Sequence, residues 1–201
     1  MFNRLTEICT SLFFLLLPAD LFAQVRSADI RIVQGDTYYY PKETAETIVL
    51  EKKTFRIQVL LQGVKGVYVF ASFGDSLYSL PASDPVPGFA SLPDMTMAEE
   101  EFNKEKEMIV DDGGWSYWFF DPQLNWHRFN KKIILLDSGR LVGTKTIKQL
   151  YIPALRDTRK LKENNDPLYL FFTVPETESA SGKPEKELLR RRIKIEWREE
   201  D

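Results

Sequence analysis

Two segments of the sequence alternate apolar and polar side chains with a period of two, and this pattern restricts the fold more than any other feature. In residues 54–61 every second side chain from Phe55 onward is apolar, and in residues 189–198 apolar side chains alternate with charged ones except at Arg191. Successive side chains of a β-strand point to opposite faces, so each segment is predicted to be a strand with one buried face. Since the second segment carries charge on its other face, it is also suited to the edge of a sheet.

Further short apolar runs, separated by turn-forming residues, extend this interpretation along the chain. Additional strands are predicted at 29–33, 47–50, 67–73, 130–137, 140–152 and 168–174. The runs at 67–73 and 168–174 are apolar on both faces, which indicates central strands. A hairpin is predicted through Ser138 and Gly139, because glycine takes the positive φ that a tight turn requires.

The segments between these strands predict loops and one helix. Four prolines and Gly88 exclude a helix or a central strand from residues 81–93. Residues 96–99, Thr-Met-Ala-Glu, have the spacing of a capping box and are followed by acidic residues and then lysines, which predicts one short amphipathic helix, with an acidic solvated loop as the alternative. Residues 155–165 are polar, with at most one helical turn, and residues 175–186, PETESASGKPEK, have the composition of a solvated loop.

The order of these elements predicts the fold class. Many short strands separated by turns are typical of an all-β sandwich, so we expect a single antiparallel β-sandwich of immunoglobulin-like architecture with one short inserted helix. No linker separates two halves that could each form a core, so residues 24–201 are predicted to form one domain.

The first 23 residues have the layout of a secretory signal peptide. Arg4 precedes an apolar run from Ile8 to Leu17, and cleavage is predicted after Ala23. The run is shorter than the ~20 residues of a membrane-spanning helix, so no membrane span is expected. A buried amino-terminal helix is the alternative. We therefore expect an exported protein, located in a bacterial periplasm, in the outer envelope or outside the cell.

Composition argues against several kinds of chemistry. Cys9 is the sole cysteine and lies in the signal segment, so no disulfide, thiolate nucleophile or cysteine-bound metal is expected after cleavage. The single histidine, His127, does not support a zinc site, and we expect no metal and no cofactor. The net charge of −3 argues against a nucleic-acid partner.

Residues 74–77 read Gly-Asp-Ser-Leu and resemble the nucleophile block of the GDSL-type esterases, in which a strand ends in a turn that presents the serine. The resemblance covers four residues. The later Gly-x-Asn-Asp block and the Asp-x-x-His block of that family are missing, and His127 is the only imidazole that could activate Ser76. We therefore interpret these residues as a turn after the strand at 67–73.

Carboxylates near the middle of the chain provide a second catalytic hypothesis. Asp111, Asp112 and Asp121 flank an aromatic stretch, and a glycosidase requires two carboxyl groups on either side of the sugar bond. Acidic residues beside Gly-Gly and before Pro122 are also typical of turns. A carboxylate-based hydrolase is therefore an alternative hypothesis, and an enzyme is the less favoured class.

Three of the four tryptophans lie in residues 113–129, together with His127. Trp118 and Phe120 have the same parity in a predicted strand and, with Trp126 and His127, they could form an aromatic surface. Such surfaces suit sugar rings or the side chains of a partner protein. A second small core is the favoured interpretation of these aromatic residues, because aromatic side chains are first needed for packing, and the binding surface is the alternative. For the protein we expect a non-catalytic binding module for a protein or glycan. A structural subunit of an envelope assembly, joined through the edge of the last strand or through the two-sided apolar strands, is a further alternative.

Overall fold

The computed structural model describes residues 26–42, 45–63, 67–75, 79, 107–110, 116–120, 141–178 and 184–198. The predicted signal segment and the predicted helix from Thr96 lie outside these residues. The described chain consists mostly of strands, with two 3-10 helical turns at Pro153–Leu155 and Leu161–Glu163. The strands are β1 Ser27–Gln34, β2 Thr37–Tyr39, β3 Ala45–Glu51, β4 Phe55–Gln62, β5 Val67–Ser72, β6 Glu107–Ile109, β7 Ser116–Phe120, β8 Leu141–Ile147, β9 Gln149–Ile152, β10 Asp157–Lys160, β11 Leu168–Glu178 and β12 Pro184–Arg198.

These strands form three sheets. A four-stranded sheet has the order β2-β1-β4-β8, a five-stranded sheet has the order β3-β12-β11-β5-β7, and a three-stranded sheet has the order β10-β9-β6. Most neighbouring strands are antiparallel, as predicted. Two pairs are parallel, β3 with β12 and β6 with β9, which the predicted antiparallel arrangement did not include.

One hydrophobic cluster joins the four-stranded and five-stranded sheets. Strand β4 contributes every second residue from Phe55 to Leu61, all with at most 1 % exposure, so the period-two prediction for this segment is confirmed. The five-stranded sheet contributes its inward-facing side chains to the same cluster, among them Leu170, Phe172, Ile193 and Ile195. Burial of these apolar faces is the main favourable contribution to the stability of such a fold.

The two strands that are apolar on both faces are central, as predicted. Strand β5 lies between β11 and β7, and β11 lies between β12 and β5. Every residue of β5 is buried. In β11, Phe172 is buried in the core and the adjacent Phe171, on the opposite face, is only 2 % exposed.

The prediction that the last strand forms a sheet edge is wrong. Strand β12 pairs with β11 on one side and with β3 on the other, so it lies inside the sheet. Its charged side chains have partners on the face of the sheet: Arg190 binds Glu187, and Lys194 binds Glu196. The charges therefore reflect a polar face of an internal strand.

The prediction of a loop at residues 175–186 is also wrong for most of these residues. Strand β11 continues to Glu178 and β12 begins at Pro184, so only residues 179–183 lie between the two strands. The pairing continues through three register shifts, between Val174 and Glu178. Proline lacks a backbone N–H and is tolerated in strands at such irregularities, so the composition of this segment is compatible with a bulged ribbon.

Two other segments differ from their predictions. The strand expected over 140–152 is interrupted at Lys148: β8 pairs with β4, whereas β9 pairs with β6 and β10 in another sheet. The first strand of the predicted hairpin, at 130–137, lies outside the described residues. The polar segment 155–165 contains strand β10, which is flanked by the two 3-10 turns.

The side chain of Gln34 joins the four-stranded sheet to the edge of β3. Its amide oxygen accepts the N–H of Glu51 at 2.8 Å, and its Nε2 donates to the carbonyls of Glu51 at 2.9 Å and Lys53 at 3.1 Å. Gln34 thus binds both backbone groups of Glu51, as a neighbouring strand would. This contact links β1 to β3 across the two sheets.

We expect Gln34→Ala to lower the free energy of unfolding by about 1–3 kcal/mol, because the N–H of Glu51 loses its acceptor and the carbonyls of Glu51 and Lys53 each lose a donor, although the Glu51 carbonyl still accepts the Lys53 N–H at 2.7 Å. Urea denaturation measures the loss. Gln58→Ala is the matched control, since that amide makes one 3.5 Å hydrogen bond to Thr144, and a loss below about 0.5 kcal/mol is expected there. Equal losses in the two variants would show that the Gln34 contact is not specific.

Candidate functional site

The predicted aromatic surface is described only in part. Trp118 and Phe120 lie in β7, and Trp126 and His127 lie outside the described residues. The register places Trp118 opposite Tyr68 and Phe120 opposite Val67, with a shift between them. The role of Trp118 and Phe120 as a ligand surface stays a prediction.

The catalytic candidates of the sequence are outside the described part of the chain. Asp111, Asp112, Asp121 and Ser76 all belong to undescribed segments. The flanks of Ser76 agree with a turn: the N–H of Ser79 donates to the carbonyl of Asp75 at 2.8 Å, and the Ser79 hydroxyl lies 3.4 Å from the Asp75 carboxylate. The hypothesis of a carboxylate-based hydrolase is therefore untested.

An exposed aromatic pair lies instead on the hairpin formed by β1 and β2. Gly35 has φ +57° and permits the two-residue turn between these strands. The register places Tyr38 opposite Val33 and Tyr39 opposite Ile32. Tyr39 packs against the core, so Tyr38 and Tyr40 lie on the outer side of the four-stranded sheet.

The rings of Tyr38 and Tyr40 are stacked on each other. Their centroids are 6.3 Å apart and their planes differ by 19°. The residues are 49 % and 48 % exposed, which makes them two of the few large hydrophobic side chains that are exposed in the described chain. The guanidinium of Arg31 lies 5.0 Å from the centroid of the Tyr40 ring, within the range of a cation–π interaction.

Two arginines of this sheet have no carboxylate partner among the described residues. Arg31 makes no hydrogen bond there, and its Nε is buried without an acceptor. Arg56 donates only to the carbonyl of Gly35, at 3.3 Å. The nearby Asp29 accepts the N–H of Ile30 at 2.9 Å and forms no ion pair with Arg31. We call the surface formed by Tyr38, Tyr40, Arg31 and Arg56 the tyrosine–arginine face.

The tyrosine–arginine face was not among the sites predicted from the sequence. Residues 37–40 read Thr-Tyr-Tyr-Tyr directly after Gln-Gly-Asp, so the turn and the aromatic run are both visible in the sequence. Three consecutive tyrosines do not alternate with polar residues, and their identity does not indicate which ring is buried. A hairpin turn at Gly35 and Asp36 pairs the tyrosine run with β1. The strand period then places Tyr39 on the opposite face from Tyr38 and Tyr40.

A second polar cluster lies on the outer face of the five-stranded sheet. The Thr173 hydroxyl donates to Oε1 of Glu187 at 2.6 Å, and Arg190 donates to Oε2 from NH2 at 2.6 Å and from Nε at 3.0 Å. The Arg190 guanidinium also lies 5.7 Å from the ring of Phe171, which contacts Phe70 edge to face at a centroid distance of 5.7 Å. Both carboxylate oxygens of Glu187 are already bonded, so this cluster suits a structural role better than that of a general base.

Neither acid–base nor metal chemistry is indicated by the described residues. The Lys53 ammonium donates a 2.8 Å hydrogen bond to the exposed Glu51 and lowers the pKa of that carboxyl below its ordinary value. A general acid at neutral pH requires the opposite shift. In the described ranges, no group of three or more histidine, cysteine or acidic side chains could hold a metal ion.

Comparisons with known proteins give no relative. No family model matches the sequence, and no curated protein or solved structure matches it significantly. Within the described residues, no helix is long and apolar enough to cross a membrane. The chemistry of the tyrosine–arginine face is therefore the principal guide to function.

Proposed function

We propose that the protein is an exported, single-domain binding module without catalytic activity that recognises a protein or a glycan through an aromatic surface. The proposal includes an immunoglobulin-like sandwich and a location in a bacterial periplasm, in the outer envelope or outside the cell. The observation that carries it is the pair of nearly parallel, half-exposed rings of Tyr38 and Tyr40 beside Arg31, which has no carboxylate partner among the described residues.

Ordering a contact surface costs free energy on binding. Tyrosine and arginine are enriched at recognition surfaces, and a tyrosine loses little conformational entropy on binding because it has two side-chain torsions. Here Tyr38 lies in a short strand that pairs with β1, and Tyr40 follows directly after that strand and stacks on Tyr38, which reduces the cost further. Two exposed rings and an adjacent cation therefore form a surface that is ordered before a ligand arrives.

The alternatives have less support. The carboxylate-based hydrolase depends on Asp111, Asp112 and Asp121, for which the described residues provide no geometry. The structural subunit depends on an edge at β12 or on the two-sided apolar strands; β12 is internal, and β5 and β11 each have a strand on both sides. The aromatic surface of the proposal is centred on Tyr38 and Tyr40, and Trp118 and Trp126 remain further candidates for it.

The double variant Tyr38→Ala/Tyr40→Ala tests the proposal. We expect arrays of purified glycans and of folded proteins to contain at least one ligand that the unaltered protein binds and that the double variant binds at least about tenfold more weakly. The melting temperature should change little, because both rings are half-exposed.

Leu155→Ala is the control, because Leu155 is 61 % exposed and lies on the 3-10 turn between β9 and β10, in another sheet. The Leu155→Ala variant should bind the same ligand with the affinity of the unaltered protein. If the double variant binds every ligand as strongly as the unaltered protein, the tyrosine–arginine face is not the binding surface.

A further inference from the structure

We propose that the tyrosine–arginine face binds a carboxylated saccharide, such as a chain of uronic acid residues. This inference rests on the proposed function and names the ligand class of the same site. It depends on three features of the described residues: two guanidinium groups without a carboxylate partner there, two exposed rings, and a rim of neutral polar side chains.

The register brings the two arginines together on one face. Arg31 lies opposite Gln58, and Arg56 lies opposite Val33, so the arginines are diagonal neighbours on adjacent antiparallel strands. Diagonal neighbours are about 7–8 Å apart at their backbones, which long side chains span readily. Tyr38 is opposite Val33 in the same row as Arg56, so each arginine has a tyrosine near it along the sheet.

The charges of this face are available to a ligand. Nε is the only Arg31 nitrogen that is both buried and unbonded, so the terminal nitrogens of its guanidinium reach solvent. A guanidinium presents a planar fork of donors that matches a carboxylate. Two such forks without carboxylate partners among the described residues favour an anionic ligand whose charge is carried by carboxylates.

The rings favour a saccharide over an acidic protein segment. The large hydrophobic side chains that are exposed in the described chain are Tyr38, Tyr40, Val49 and Leu155, and the last two belong to other elements. The centre of a protein interface usually contains several apolar anchors seated in pockets, whereas sugar rings stack their C–H faces on flat aromatic surfaces. The Tyr40 ring is stacked with Tyr38 on one side and has the Arg31 guanidinium over it, so a sugar ring would stack on Tyr38, beside the Arg31 charge.

Neutral polar side chains adjoin the arginines and supply partners for hydroxyl groups. Gln58 lies opposite Arg31 on β4, and its Nε2 is 3.5 Å from the Thr144 hydroxyl on β8, which is a long and weak contact. Thr146 lies opposite Arg56 in the next row. The outer face thus passes from rings, through cations, to hydroxyl and amide groups, an order that suits an acidic sugar chain lying across the strands.

Matched ligands test the inference. Binding of galacturonate and mannuronate oligosaccharides is measured by calorimetry at physiological salt, against the same oligosaccharides after reduction of their carboxyl groups and against oligoglutamate. We expect at least one uronate to bind about tenfold more tightly than its reduced form and than oligoglutamate. Arg31→Gln and Arg56→Gln should each remove most of this preference, and Tyr40→Ala should weaken binding to the uronate.

Arg156→Gln is the matched control, because it removes the same charge from an exposed turn outside the face and should leave binding unchanged. The melting temperature of each variant shows whether it is folded, and the two arginine variants provide independent tests. Arg31→Lys should recover less than half of the preference, since it restores the charge without the planar fork.

Four results would overturn the inference. Equal binding of a uronate and its reduced form would show that the carboxylate is not recognised. Equal or tighter binding of oligoglutamate would show that the saccharide is not recognised. The proposed function would stand after either of these two results. Absence of binding to all probes would reject the ligand class, and the arrays would then decide the proposed function. Uronate binding that is unchanged in all arginine and tyrosine variants would reject the face itself, and with it the proposed function.

Discussion

Phe172→Ala is expected to lower the free energy of unfolding by about 3–5 kcal/mol, a loss large enough to leave much of the protein unfolded. Phe172 is completely buried and lies in the middle of β11, opposite Val69 on one side and Arg191 on the other. Alanine would leave a cavity in the cluster that joins the two larger sheets, and the surrounding strands are held on both sides and cannot collapse into it. Urea denaturation followed by circular dichroism measures the change.

Tyr169→Ala is the control for that experiment, because it truncates an aromatic ring on the same strand but on the outer face, where Tyr169 is half-buried. Its loss should be less than half of that of Phe172→Ala. Similar losses at the two positions would contradict the assignment of the inner face of β11 as the core.

The second large effect is expected at the Glu187 cluster. Glu187→Ala removes the acceptor of both Thr173 and Arg190, and the Arg190 side chain is only 10 % exposed. Breaking a fully buried pair costs about 3–5 kcal/mol; since Glu187 keeps 22 % of its side-chain exposure, we expect about 2–3 kcal/mol here. The loss should be smaller when Arg190→Met is present, because the arginine charge that Glu187 balances is then absent.

A double-mutant cycle measures that dependence, with Glu187→Ala, Arg190→Met and the combined variant. The pair formed by Lys194 and Glu196 on the same strand is the control, since its side chains are 28 % and 47 % exposed and its coupling should stay below about 1 kcal/mol. If both cycles give the same coupling, the Glu187 cluster contributes no more than a surface ion pair.

Local patterns predicted the strands but not their partners. The alternation from Phe55 and the two-sided apolarity of 67–73 and 168–174 indicate which residues are buried, because burial follows from the period of a strand. Sheet order depends on contacts between distant segments. The charged face of β12 was therefore interpreted as an edge, although β3 and β11 enclose that strand.

The candidate site was predicted less well for a related reason. The aromatic surface was predicted in residues 113–129 because three tryptophans lie there. The exposed aromatic pair in the described residues is instead Tyr38 and Tyr40. Their exposure follows from the Gly35 turn and from the position of β2 at the end of its sheet, neither of which the composition of the segment reveals. That Arg31 and Arg56 have no carboxylate partner in the described part of the chain also becomes visible only when the strands are assembled.

The internal position of β12 has a consequence for synthesis of the protein. In the described chain β3 pairs with β12 alone, and β12 is the most carboxyl-terminal of the described strands. A growing chain therefore exposes β3 long before its partner exists, and the five-stranded sheet can close only after residues 184–198 have left the ribosome. Sheets with such distant pairings form slowly, so the newly made chain should stay unfolded for longer than one built from consecutive hairpins.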